Sequence, residues 1–287
     1  MKRILTFLIL VSCFFCCNTA FASKKVLVVL GSEGLIYRTA YKGLMDSLST
    51  GPATDTKTIV ISRNTNRVVI RYMPDVIIAI GNNALKKLFN VKNTPVGYLL
   101  CTNLNRIKEK ENFFGISSEY DQCALQTTVK KYMPGVNTIA RLESPQDKKS
   151  DKRARVSCEP DITLTSVIVR SSSDLPTEMM MNAKSADVVI VDPDSKMLTQ
   201  ETREYLFQFS LENQIPLISL RGKKMFSESA LLLDLDPVAN GQAIADMANR
   251  YLNSDKKALE RIDNRWFSVR INKRTVKMLK LDVRTEM

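Results

Sequence analysis

Short runs of Val, Ile and Leu alternate along this chain with longer segments of helical period, and that alternation restricts the fold more than any other feature. The runs are KVLVVL (25–30), KTIVI (57–61), DVIIAIG (75–81) and PVGYLLC (95–101), then NTIARLE (137–143), ITLTSVIV (162–169), DVVIVD (187–192) and PLISL (216–220). Helical patterns fill 34–49, 82–90, 119–132, 174–185, 199–213 and 238–253. A strand that is apolar on both faces must be covered on both faces, and helices returning over a parallel sheet do this. Two series of four such strands predict an α/β protein of two similar Rossmann-like lobes with parallel sheets. The helix boundaries carry their own signals. Thr199 is a candidate N-cap with Glu201 in the first turn, while Lys130 and Lys131 close a helix that Pro134 and Gly135 terminate.

The first residues read differently. Lys2 and Arg3 precede an apolar run from Ile4 to Phe15, and Ala20-Phe21-Ala22 has the small-x-small form of a secretory cleavage site. Residues 1–22 are therefore expected to be a signal peptide, which implies a periplasmic protein. LVSC (10–13) resembles a bacterial lipobox and offers a second reading, a lipoprotein anchored through a lipid on Cys13; apolar Phe14 and Phe15 then stand where a polar tether is usual. The apolar run is shorter than the roughly twenty residues that span a bilayer, so contact with a membrane is expected only indirectly or through that lipid.

Export governs how the cysteines are read. Cys13, Cys16 and Cys17 belong to the leader, leaving Cys101, Cys123 and Cys158 at wide spacings with no CxxC among them. A zinc site or a disulfide framework is not expected, and at most one bridge can form. The sequence has no histidine, which removes the usual general base, both histidine-dependent nucleophile arrangements and the commonest transition-metal ligand. An enzyme is not expected, and neither is a cofactor. The formal charge of +12 would suit an acidic partner. Its clusters, DKKSDKRARV (147–156) and RINKRTVKMLK (270–280), have no aromatic residues interleaved as stacking platforms, so nucleic acid is not an expected partner.

The stretch ADVVIVDPDS (186–195) passes from an apolar strand directly into Asp192-Pro193-Asp194-Ser195. In a doubly wound sheet polarity switches on at the carboxyl edge of the strands, where ligands also bind. Asp192 is expected to organise the turn through local hydrogen bonds. A glycosidase-type acid pair is disfavoured, because two carboxylates joined by one proline do not flank a substrate.

From Ala186 to about Ala245 the sequence resembles the ABC-transporter substrate-binding proteins of the type I periplasmic-binding fold, in particular those that take up aromatic amino acids. The shared order is an apolar strand, a Pro-x-Asp loop, a helix, Ile215-Pro216 and a strand, an Ala-Leu strand, and then Asp236 before a glycine-containing helix. PDVIIAIGNNALKKLF (74–89), NTPVGYLLCTN (93–103) and the segment from Phe113 to Pro145 match more loosely. The sequence departs from the family in a short stretch between Leu30 and Asp75, in the replacement of a helix by residues 144–160, and in Ser229 at a common glycine position.

The resemblance implies type I periplasmic-binding-protein architecture, with one lobe of 23–117 and 237–262 and another of 118–236 and 263–287. It implies three crossings, after about Ser117, near Asp236 and near Ile262. It also implies a small-molecule ligand, plausibly an amino acid, captured for an ABC permease; a pocketless or sensor-type module that binds another envelope protein is the alternative. The site residues it implies are Ser32, Asn82, Asn83 and Thr102 on one side and Ser144, Asp194, Ser195, Arg221 and Asp236 on the other. Asn82 and Asn83 either cap their helix or donate to a carboxylate, Asp194 would meet an ammonium, Arg221 would assist the carboxylate, and Asp236 either caps a helix or touches the ligand.

Overall fold

The computed structural model describes residues 23–51, 53–102, 104–144, 158, 161–192, 198–221, 225–253 and 259–284. The expected signal peptide and Cys13 lie outside them, as do Asp194 and Ser195.

The strands form two six-stranded sheets. The first contains β1 (Lys24–Leu30), β2 (Thr54–Val60), β3 (Val76–Ile80), β4 (Val96–Cys101), β5 (Phe113–Tyr120) and β11 (Arg261–Asn264), in the order β11-β5-β4-β3-β1-β2. The second contains β6 (Thr138–Glu143), β7 (Thr163–Ile168), β8 (Val188–Val191), β9 (Leu217–Leu220), β10 (Leu231–Leu235) and β12 (Phe267–Ile271), in the order β12-β10-β9-β8-β6-β7. All pairs are parallel except β10 with β12. The two sheets therefore share one strand order, with β3 and β4 of the first standing where β8 and β9 stand in the second, and differ in direction at one edge, where β11 is parallel and β12 antiparallel to its neighbour. Periodicity gives four strands in each sheet rather than six. The other four include β11, with the polar sequence RIDN, and β12, with FSVRI; both lie at sheet edges where one apolar face suffices.

Central strands are buried along their whole length, as in VIIAI of β3 and VVIV of β8. Helices cover both faces. α1 (Leu35–Leu48) and α7 (Pro237–Leu252) share the core on one face of the first sheet, and α2 (Thr65–Tyr72) and α3 (Asn82–Leu88) lie on the other. On the second sheet α4 (Gln122–Tyr132) packs on one face; α5 (Leu175–Glu178), which continues into a π-helical turn, and α6 (Gln200–Asn213) pack on the other. The last helix, α8 (Lys273–Met278), follows β12.

Two devices close the lobes internally. In the first, α1 and α7 approach backbone to backbone: a Cβ on Gly43 would lie 2.2 Å from the Val238 oxygen, and one on Gly241 would lie 2.1 Å from the Ala40 oxygen. In the second, a disulfide joins Cys123 of α4 to Cys158, while Cys101 remains a free thiol buried in β4.

The chain passes between the sheets three times, and the passages run side by side. β5 leads into α4 through Asp121, β10 leads into α7 through Asp236, and β11 leads into β12 through Arg265 and Trp266. The Asp121 N–H donates to the Asn264 carbonyl (2.9 Å) and the Asp236 N–H donates to the Trp266 carbonyl (3.1 Å), so backbone hydrogen bonds tie the three together. Asn264 is fully buried, and its side-chain amide donates to the Trp266 carbonyl at 3.0 Å. Asp121 and Asp236 are also the N-caps of α4 and α7, accepting from Ala124 and Ala239 at 3.0 Å each. Each cap fixes the direction in which its helix leaves the crossing.

Candidate functional site

Because β5 and β10 both cross at their carboxyl ends, the carboxyl edges of the two sheets meet at the crossings. In the first lobe this edge contains the turn after β3 and the end of β4. Gly81 lies in the left-handed region (φ 90°) and occupies the N-cap of α3, and a Cβ there would come within 2.8 Å of the Tyr37 ring. Asn82 does not cap the helix. Its amide nitrogen donates to the Thr102 hydroxyl and its amide oxygen accepts from the Thr102 N–H, both at 3.0 Å. This two-point clasp bolts the turn after β3 to the end of β4. Asn83 is exposed beside it; Ser32, exposed in the loop after β1, accepts from the Gly34 N–H at 3.3 Å. Leu100, at positive φ (54°), packs against the apolar cores of both lobes.

The second lobe closes the same place with charge. Asp192, just past β8, accepts from the Arg221 guanidinium, just past β9, at 2.7 Å. Their side chains are 21% and 24% exposed, so water screens the pair only in part. The Arg221 guanidinium also sits over the Tyr120 ring at 5.1 Å, and that ring stacks on Phe267 with centroids 5.3 Å apart. Arg221 takes positive φ (54°), as Leu100 does at the equivalent strand end. Asp192 therefore fastens a neighbouring strand end; the turn it is expected to organise lies outside the described residues.

Behind this pair stand groups that sequence reasoning passed over. Arg141 and Glu143 of β6 approach to 3.6 Å, and the Glu143 side chain is 5% exposed with its second carboxylate oxygen buried and without a hydrogen-bond partner. Burial and pairing of a charged side chain at the end of an otherwise apolar strand was the available signal: NTIARLE places Arg and Glu two apart, on one face. Ser144 follows Glu143 and is half-buried. Asp236 is placed at the crossing, where its carboxylate is engaged as the α7 cap. Thus the structure brings together Asn82 with Thr102 and Arg221 with Asp192.

Hydroxyl and amide groups on one edge, with a guanidinium, an aromatic ring and carboxylates on the other, are equipped to hold a polar solute by hydrogen bonds and charge. Burial pushes the Cys101 thiol up to about 12, only partly offset by a backbone hydrogen bond from Gly81, so it is no nucleophile. Among the described residues no helix is long and apolar enough to cross a membrane, and no three acidic or cysteine side chains group as a metal site would require.

No family model and no curated protein matches the sequence. Among solved structures, the chain is similar to the ligand-free, open form of a substrate-binding protein with adhesive properties from Clostridium difficile. That likeness has 14% identity and a TM-score of 0.62 over 91% of this chain and 96% of the other. It is also similar to an arabinose-binding protein from Geobacillus stearothermophilus, at 13% identity and a TM-score of 0.53 over 89% of this chain and 99% of the other. At these identities the likeness establishes the fold, which is that of the type I periplasmic-binding solute-binding proteins.

Proposed function

We propose that this chain is an exported solute-binding protein that captures a small polar ligand between its lobes and presents it to an ABC permease. The observation that carries this reading is the pair of equivalent clasps, Asn82–Thr102 and Asp192–Arg221, on two carboxyl edges joined by three crossings that lie side by side. A ligand that touches both edges is satisfied only when the lobes close, so binding stabilises the closed state. The mixed chemistry of the edges supports an amino acid as ligand. Its carboxylate would lie between Arg221 and the Asn82–Asn83 turn, and Asp194, assigned from the sequence resemblance, would take the ammonium. Binding proteins among the similar structures support a role without catalysis.

A thermal-shift screen of the protein against amino acids, sugars and other small polar solutes tests the proposal. A ligand at a hundred times its Kd stabilises the folded protein by about 2.7 kcal/mol, an easily read shift. No shift across a broad panel contradicts the proposal. The alternative, a lobed module that binds another envelope protein, is favoured by one observation: an open apolar groove on the first lobe, at the edge away from the crossings.

A further inference from the structure

That groove lies at the amino edge of the first sheet, between α2 and the segment leading into β4, and has a volume of about 460 Å³. Val69, Ile70 and Met73 from α2 and its cap form one wall, Pro74 and Val91 continue the apolar lining, and Lys87 of α3 stands at the rim. Ile70 is 75% exposed and Met73 72% exposed, although other apolar residues of the same helix, Val68 and Tyr72, pack on the sheet. Helix α2 is therefore apolar on two sides, and one of them faces water. Met73 is at odds with its place twice over. It holds the left-handed conformation (φ 48°) that closes α2, where Gly or Asn is better suited, and it exposes a large apolar side chain there.

Charge identifies the occupant. From Arg63 to Thr94 the basic residues are Arg63, Arg67, Arg71, Lys86, Lys87 and Lys92, against Asp75 alone. The Asp75 carboxylate is turned to β1, where it accepts from the Lys25 N–H at 2.8 Å. A second copy of the chain would bring Lys87 and the same basic segments, α2 and α3, to the groove, and the formal charge of +12 adds to that repulsion. A flat bilayer surface does not fill a concavity, and Asn66, Asn90 and Asn93 on the lining call for hydrogen-bonding partners. We infer that this groove docks an acidic amphipathic helix of a partner protein, with apolar side chains at helical spacing inserted along α2 and carboxylates meeting Lys87 and the basic segments that flank it. The site lies at the opposite sheet edge from the solute cleft and does not depend on it.

The test uses the full mature chain and a fluorescent synthetic helix with Leu and Met on one face and Glu on the other, read by anisotropy. The acidic peptide should bind, more weakly as salt rises. Ile70→Ser with Met73→Asn, both exposed and the second suited to a left-handed cap, should weaken binding at least about tenfold. Lys87→Glu should weaken the acidic peptide and improve a lysine-faced counterpart. Equal binding of the two peptides, undiminished binding by the groove variants, binding to phosphatidylglycerol vesicles but to neither peptide, or self-association abolished by the Ile70 change would each overturn the inference.

Discussion

The two lobes share one strand plan and differ in what fastens it. The first is held by a close-packed helix pair and clasped at its cleft edge by neutral groups, Asn82 and Thr102. The second is held by a disulfide and clasped at the equivalent place by an ion pair, Asp192 and Arg221, resting on Tyr120. Topology thus fixes where a clasp is needed, namely where the turn after one central strand must be tied to the end of its neighbour. It leaves the chemistry open. That freedom lets two similar lobes present different chemistry at their carboxyl edges.

The comparison is broken most strongly by removing the second lobe's covalent tie. Replacing Cys123 and Cys158 by serine opens a link between residues 35 apart in sequence and should cost about 3 kcal/mol. Amide hydrogen exchange should show β6 and β8 losing protection while β1 and β3 keep theirs. The mirror experiment is Gly241→Ala, which places a methyl group against the α1 backbone; it should cost about 2 kcal/mol through overpacking, and exchange should rise in the first lobe instead. Equal effects on both lobes from either change would show that they do not differ in the way described.

Smaller effects sharpen the contrast between the clasps. Arg221→Ala should destabilise the protein by about 1–2 kcal/mol by removing the guanidinium that the Asp192 carboxylate accepts from in a partly dry setting, and Asn82→Ala by about 1 kcal/mol, both measured by urea unfolding. A double-mutant cycle of Asp192→Ala with Arg221→Ala should reveal coupling that weakens only slightly with added salt. The smallest effect concerns the strand starts. Asp187 accepts from the N–H groups of Asn137 and Thr138 at 2.7 Å and from the Thr138 hydroxyl at 2.9 Å; in the first lobe Asp75 holds β1 through one such bond. Burial pushes the Asp187 carboxyl up, but these hydrogen bonds and Lys130 outweigh it, and the net shift is downward. A carboxyl that is more acidic folded than unfolded stabilises above its ordinary range and loses that contribution as pH falls through its folded value. Asp187→Asn should therefore flatten the acid limb of stability below about pH 4.

The central strands were legible in sequence because burial on both faces leaves an unbroken apolar run, as in Val76–Ile80 and Val188–Val191. Helix starts were legible where the cap is local, as at Thr199, whose hydroxyl accepts from the Thr202 N–H. Edge elements were not: Arg261–Asn264 and the Thr65–Tyr72 helix carry too much polar surface to stand out. The clasps were illegible for another reason. Asp192 and Arg221 are 29 residues apart and Asn82 and Thr102 are 20 apart, so each residue could be placed at a strand end, but only the assembled sheet selects its partner. Three cysteines likewise permit one bridge without naming it, and the burial of Cys101 within β4 leaves Cys123 and Cys158 to pair.

The central claim is that the space between the two clasps holds the solute. Titration calorimetry tests it most directly, using the best ligand from the solute screen on the unaltered protein, Asn82→Ala and Arg221→Ala, each checked for native circular dichroism. The account predicts that both variants lose affinity, Arg221→Ala by at least about tenfold, equivalent to about 1.4 kcal/mol, and Asn82→Ala by less. Unchanged affinity in both folded variants would place the solute elsewhere and contradict the account.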